Sequence, residues 1–276
     1  MVNITAADVS KLRKITGAGM MDCKKALQES DGNFDKAIEI IRKKGQAVAN
    51  KRADREASEG VVLAGTTDNK TYGAMIVLNC ETDFVAKNEQ FVQFAGKILQ
   101  LAIDQKPASL DALKTLKIND NTVEEEVTEQ IGVIGEKLDL SYFESLEAPY
   151  IQTYIHPGNK LAAMVGFNKE GIELQVAKDV SMQVAAMNPV AVDKENVPAD
   201  VIEKEKEIGR EQARREGKPE QILDKIAEGK LQKFFRESTL LNQDFIKDSK
   251  INIRTYLKNY DPELKVTGFV RFTLSV

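Results

Sequence analysis

The chain reads as an α+β protein: an amino-terminal three-helix bundle, then a two-lobed α+β core from which an antiparallel helical hairpin projects. Three observations predict it. Apolar residues recur at helical spacing through the first fifty positions, alternating residues bounded by turn signals follow, and a mostly charged stretch between Pro198 and Pro219 gives way to an amphipathic return. The expected division is a helical partner-docking bundle over 1–54, a first lobe over 55–140 and a second over 141–276, with the hairpin inserted at 198–237.

In the bundle, Thr5 and Asp8 form a capping box with Asp in place of Glu, and the stripe Val9, Leu12, Ile15 stops at Gly17. A second helix over 20–29 ends at the Asp31-Gly32 turn. The third starts at Asn33 or Phe34 and reaches about Lys44, with Phe34, Ala37, Ile38 and Ile41 on one face and Gly45 as its stop signal. A bundle this small is marginal alone and leaves a face for a partner.

After Lys51, Arg52 and Arg55 the period changes from helical to alternating. Strands over 60–66 and 71–79 flank Asp68-Asn69 as a hairpin, with Tyr72, Ala74, Ile76, Leu78 and Cys80 on one face. Helices follow over 84–103, ending before Lys106-Pro107, and over 123–135. Residues 138–167 read as strands turning at Ala148-Pro149 and at His156-Pro157-Gly158-Asn159, and a helix over 172–187 comes next. The charged arm 199–216 has few apolar residues, chiefly Val201, Ile202, Ile208 and Ala213; Ile222, Leu223, Ile226, Leu231, Phe234 and Phe235 make the return arm amphipathic, so the hairpin should stand out from the body. A helix over 252–260 and a strand over 266–274 finish the chain. The strand, helix and strand order before residue 140 is loosely echoed after it, which suggests two related lobes.

Composition excludes several functions. With 276 residues, 42% hydrophobic and 30% charged, a packed fold is expected, and a net charge of −4 gives no overall attraction to nucleic acid or anionic lipid. Cys23 and Cys80 lie far apart and suit a reducing compartment; no apolar leader or ~20-residue apolar run is visible, so a cytoplasmic protein is expected. The single histidine, His156, rules out a two-imidazole site, and a Cys/His nucleophile would have to pair it with Cys23 or Cys80, of which Cys80/His156 is the arrangement to test. Gly17-Ala18-Gly19 lacks the preceding strand and third glycine of a dinucleotide fingerprint; no cofactor and no metal are expected, and the carboxylates read as solvated helix faces. Arg42, Lys43, Lys44, Lys51, Arg52 and Arg55 offer an alternative reading as a ribosome- or RNA-associated module. Cations near a helix C-terminus complement its dipole, however, and no aromatic residue interleaves with them to stack on bases.

The most informative stretch is Thr82-Asp83-Phe84-Val85-Ala86-Lys87-Asn88. Thr82 can cap a helix, Asp83 then falls in its first turn, and Asp83 with Lys87 makes an i,i+4 pair in the favourable order. Phe84 has two choices, inward as a staple or outward as a knob, of which the inward one is commoner.

Leu12-Arg13, the run Thr16-Gly17-Ala18-Gly19-Met20-Met21-Asp22-Cys23-Lys24-Lys25-Ala26-Leu27 and the run Cys80 to Asn88 together resemble bacterial elongation factor Ts, the guanine-nucleotide exchange factors of elongation factor Tu. Weaker matches follow at Ile134-Gly135-Glu136, Ile155-His156, Gly217-Lys218-Pro219, Glu228-Gly229-Lys230 and Thr267 to Phe272. The resemblance implies a translation factor without enzymatic activity and a UBA-like bundle docking on the partner's nucleotide-binding domain through Arg13, Met20 and Met21, with Lys24 and Arg52 as lesser contacts. It further implies that Asp83 and Phe84, flanked by Thr82, Val85, Lys87 and Asn88, press between helices beside the nucleotide and disturb its magnesium and phosphate environment. Ile134, Gly135 and His156 match positions touching a more distant domain of the partner, and the hairpin resembles the family's coiled coil. The implied partner is elongation factor Tu, GDP-bound and nucleotide-free, in complexes of one or two copies of each protein, with neither membrane nor direct nucleic-acid contact. Two departures stand out: many members continue beyond Leu274-Ser275-Val276 into a further helical module, so that contact is expected to be missing, and His156-Pro157-Gly158-Asn159 replaces a glycine-rich turn.

Overall fold

The computed structural model describes residues 4–274. Helices α1 (Ala6–Thr16), α2 (Met20–Glu29) and α3 (Phe34–Arg52) close on a small core of Val9, Leu12, Ala18, Cys23, Ala26, Leu27 and Ala37. The Thr5–Asp8 capping box is present, and Asn33 caps α3 by accepting from the Lys36 amide. The expected end of the third helix at Lys44 is corrected: α3 runs on through a buried Gly45 to Arg52. A glycine inside a helix is disfavoured by about 1 kcal/mol relative to alanine. Here it sits against α7, described below, where a side chain on the facing residue would not fit.

Strands β1 (Glu59–Thr66) and β2 (Tyr72–Cys80) form the hairpin, paired from Glu59–Cys80 to Thr66–Gly73. The expected helix over 84–103 is in fact two, α4 (Asp83–Ala86) and α5 (Glu89–Gln105). Asn88 makes the break, because its side chain accepts from the amides of Gln90 and Phe91 and so caps a new helix. Then come α6 (Leu110–Thr115), the short pair β3 (Lys117–Ile118) and β4 (Asn121–Thr122), and α7 (Val123–Ile134), opened by a Thr122–Glu125 capping box and closed by Gly135 at φ 81°. Next are β5 (Asp139–Glu147), β6 (Tyr150–Ile155), β7 (Leu161–Phe167), α8 (Leu174–Met187), the hairpin arms α9 (Ala199–Arg215) and α10 (Leu223–Ser238), β8 (Asp244–Phe245), β9 (Asp248–Asn252), α11 (Ile253–Tyr260) and β10 (Val266–Thr273).

Two antiparallel three-stranded sheets, ordered β1-β2-β5 and β10-β7-β6, face one another through Val62, Ala64, Met75 and Val77 on one side and Ile151, Ala162, Met164 and Val270 on the other. β2 is therefore buried along its whole length: its second face, Tyr72 to Cys80, packs on α5 and α7. α8 and α11 cover the outside of the second sheet. The residue-140 position expected between the lobes falls inside β5, which pairs with β2 in the first sheet. In the hairpin, Gly209 lies against Ala227, and Ala213, Leu223 and Leu231 fill the seam. Its two ends are tied to the body where Ala191 and Thr239 form a parallel bridge. Among the described residues no helix is long and apolar enough to cross a membrane.

Candidate partner-docking site

The end of β2 leads directly into α4. Thr82 accepts from the Val85 amide at 3.4 Å, and the Asp83 carboxylate receives the Lys87 ammonium at 2.6 Å. That hydrogen bond, reinforced by the charge, holds the Asp83 carboxyl below its usual range and lifts Lys87 above its own. With Ala86 buried and Val85 half-buried on the lobe core, the helix has its inward positions filled, and Phe84 points the other way. Its ring is 83% exposed. Of the two directions open from the residues alone, the less common outward one, which the resemblance implies, is taken here, and β2 and α5 already close the core beneath it. Lys87 and Asn88 are exposed at the far end of α4.

What fixes this short helix comes from distant sequence. The Thr82 amide and hydroxyl both donate to the Glu136 carboxylate, at 3.0 and 2.7 Å. Beside it, the Glu81 carboxylate accepts from Arg52 at 2.7 Å and from the Lys137 amide at 2.6 Å, an arrangement in which the amide, before the guanidinium, keeps that carboxyl ionised. Lys137 in turn donates through Nζ to the carbonyls of Ala53 and Arg55. The end of α3, the end of α7 and the start of α4 thus meet in one hydrogen-bonded knot. Ile134 and Gly135 stand at its edge, half-buried, and Arg52 has an internal partner. Glu81, Glu136 and Lys137 had no assigned role from sequence, since pairings across about fifty residues leave no periodic signal.

The β6–β7 turn lies near the same end. His156 is exposed and its Nδ1 is 2.9 Å from the Tyr154 hydroxyl, while Lys160 pairs with Glu59 at 2.8 Å and adds its charge to the field that favours ionised Asp83. Cys80 is fully buried, donates to the Thr82 carbonyl at 3.1 Å, and burial pushes its thiol up to about 12. A thiol so protonated is no nucleophile.

On the bundle, Met20 and Met21 open α2 and are 62% and 63% exposed, and Arg13 on α1 and Lys24 on α2 are exposed too. Met20, Met21 and Phe84 are three of the large apolar side chains that the protein leaves in water, each at the start of a helix. The basic stretch is largely neutralised internally: Arg42 pairs with Glu129, Lys43 with Glu39, Lys44 with Asp22 and Arg52 with Glu81. Among the described residues no group of acidic, histidine or cysteine side chains is arranged to hold a metal ion.

Comparison with known proteins gives one consistent likeness. The family described as elongation factor Ts matches residues 81–275. The chain is 50% identical over 273 residues to elongation factor Ts of Azobacteroides pseudotrichonymphae, covering 99% of each protein. It is 52% identical to that of Porphyromonas gingivalis ATCC 33277, covering 99% of this chain and 98% of the relative. Against that of Christiangramia forsetii it is 51% identical, covering 99% of this chain and all of the other.

Proposed function

Because the chain belongs to the elongation factor Ts family, and is thus a translation elongation factor and not an enzyme, we propose that it is a cytoplasmic guanine-nucleotide exchange factor for elongation factor Tu. The bundle docks on the nucleotide-binding domain through Arg13, Met20, Met21 and Lys24. Asp83 and Phe84 then enter beside the nucleotide and disturb its magnesium and phosphate contacts. Ile134, Gly135 and His156 meet a further domain, and Thr82, Val85, Lys87 and Asn88 shape and edge the wedge. Arg52 supports it through Glu81.

The observation that carries this reading is the phenylalanine held in water on a four-residue helix whose base is hydrogen-bonded to Glu136, just beyond α7, beside a Glu81 held by Arg52 of α3. An exposed aromatic has no value to the isolated fold, whereas burying it in a partner yields about 1.5–3 kcal/mol. A thousandfold acceleration of release needs about 4 kcal/mol of differential binding. One ring falls short of that, so the bundle contacts must contribute as well. By reciprocity, nucleotide rebinding loosens this protein from its partner by whatever factor this protein weakens the nucleotide's equilibrium affinity, which allows turnover.

The test is release of labelled GDP from elongation factor Tu. Asp83→Ala with Phe84→Ala should leave the fold intact and cut the stimulated rate at least tenfold; undiminished stimulation would reject the wedge. The internal pairing of Arg42, Lys43, Lys44 and Arg52 counts against an RNA-binding module, and RNA affinity falling steeply with added salt would revive it.

A further inference from the structure

α3 belongs to two cores at once. Its first half contributes Phe34, Ala37, Ile38, Ile40 and Ile41 to the bundle, and its second half sets Val48 and Ala49 against the core of the first lobe. Gly45 marks the changeover, and there α3 crosses α7 so closely that a Cβ on Gly132 would stand 2.4 Å from the Gly45 Cα. No flexible side chain is available to yield, because the obstacle is backbone. The reverse substitution is different: a Cβ on Gly45 would meet the Gly132 Cα at 3.6 Å, an ordinary contact. One turn before each glycine, Arg42 and Glu129 join the two helices at 2.7 Å. Below the crossing, α3 is fastened through Arg52 to Glu81, the residue next to Thr82, and through Ala53 to Lys137.

We infer that Gly132 is a positioning residue for exchange: by letting α3 seat directly on α7, it sets the orientation of the Met20/Met21 patch relative to Phe84, so that one partner molecule can engage both. The inference rests on the two-patch docking proposed above. Two patches held at the correct spacing bind far more tightly than either alone, and the gain disappears when geometry forbids simultaneous contact. An uninterrupted helix is a stiff connector of about 1.5 Å per residue, so a displacement at the crossing is carried undiminished to the bundle.

Gly132→Ala and Gly45→Ala make a matched pair. Both replace glycine inside a helix and raise helix propensity, but only the first forces the helices apart. Their effect on geometry can be read without any partner, by distance measurement between spin labels on Lys25→Cys and Gln93→Cys, two exposed positions on α2 and α5; the native Cys23 and Cys80 are buried. Gly132→Ala should shift or broaden the distance distribution and Gly45→Ala should leave it unchanged; identical distributions would overturn the inference whatever the protein does to elongation factor Tu. In GDP release, Gly132→Ala should raise the concentration for half-maximal effect at least tenfold with the maximal rate within twofold. Met20→Ala with Met21→Ala should then add less than twofold in that background, and full additivity would refute the coupling. Should Gly132→Ala fail to fold, insertion of one alanine between Gly45 and Gln46 serves instead, since it turns the bundle, with Gly45 and Arg42, by about 100° about the α3 axis relative to the lobe and leaves the α7 sequence unchanged. The same tenfold loss is expected, and unchanged half-maximal concentration would overturn the inference. Wild-type protein that shifts no GDP release at all would defeat the proposed function and leave the distance result standing.

Discussion

Two parts of this molecule project from the core, and they are made rigid in opposite ways. The α9–α10 hairpin is built locally: Gly209 lets the arms approach at Ala227, Arg210 bridges to Asp224 and Arg214 to Glu220, all within about twenty residues of chain. α4 has four residues, its only local supports being the Thr82 cap and the exposed Asp83–Lys87 pair, and it is fixed to the body by Glu136, which reaches Thr82 across 54 positions, and by Arg52 acting on Glu81. The lesson is that a long element can carry its own stability, while a short one bearing an exposed ring must borrow it from elsewhere. A helix of four residues is far below the length that holds its shape in water.

Removing the borrowed support should therefore have the largest effect. Glu136→Ala leaves the Thr82 amide and hydroxyl without their acceptor, a loss of about 1–3 kcal/mol, and amide exchange across α4 should accelerate tenfold or more with stimulated GDP release falling alongside; unchanged α4 protection would show that the helix holds itself. The corresponding insult to the hairpin is Gly209→Val, which pushes a branched side chain into the Ala227 backbone, where even a Cβ comes within 3.1 Å. Overpacking of this kind costs about 1–3 kcal/mol. The comparison predicts that the loss stays in the hairpin, so that α9 and α10 lose amide protection while α4 keeps its own, and loss of protection in both places would break it.

A subtler probe uses Cys80, directly behind α4. Its thiol is pushed up to about 12 by burial from the model-compound value of 9.0, so alkylation at pH 8 should be at least a hundredfold slower than for a free cysteine. The sign for stability follows. Between about pH 9 and 12 the unfolded chain ionises this thiol and the folded one does not, so its contribution, intact below 9, declines as pH rises. A Cys80→Ala variant whose stability falls by the same amount over that interval would exclude Cys80 as the source. The smallest effect belongs to the hairpin surface: Arg210→Ala should leave the thermal and denaturant unfolding midpoints almost unmoved, as for an ordinary exposed pair, because Asp224 stands largely in water.

Much of the framework was open to reading from residues alone. Thr5–Asp8, the Asp31-Gly32 turn, the strand alternation of Tyr72 to Cys80 and the two-armed hairpin that begins at Pro198 and turns at Pro219 are local patterns, and local patterns survive folding because their physics acts over a few residues. The motif from Thr82 to Asn88 was equally visible, along with its Thr82 cap and its ion pair. Its break at Asn88 was not, since the same residues fit a continuous helix and only the side-chain cap on Gln90 and Phe91 decides otherwise.

Gly45 shows where such reading ends. By itself the sequence determined that this glycine lies where a helix could stop, and that Phe84 stands at the start of a helix with two directions open. Tertiary structure decided both: α7 brings Gly132 against Gly45, so the helix continues, and the filled core beneath α4 turns the ring outward. A helix end or a side chain's direction is settled by whichever neighbour occupies the space, and those neighbours lie dozens of residues away, beyond the reach of propensity and period.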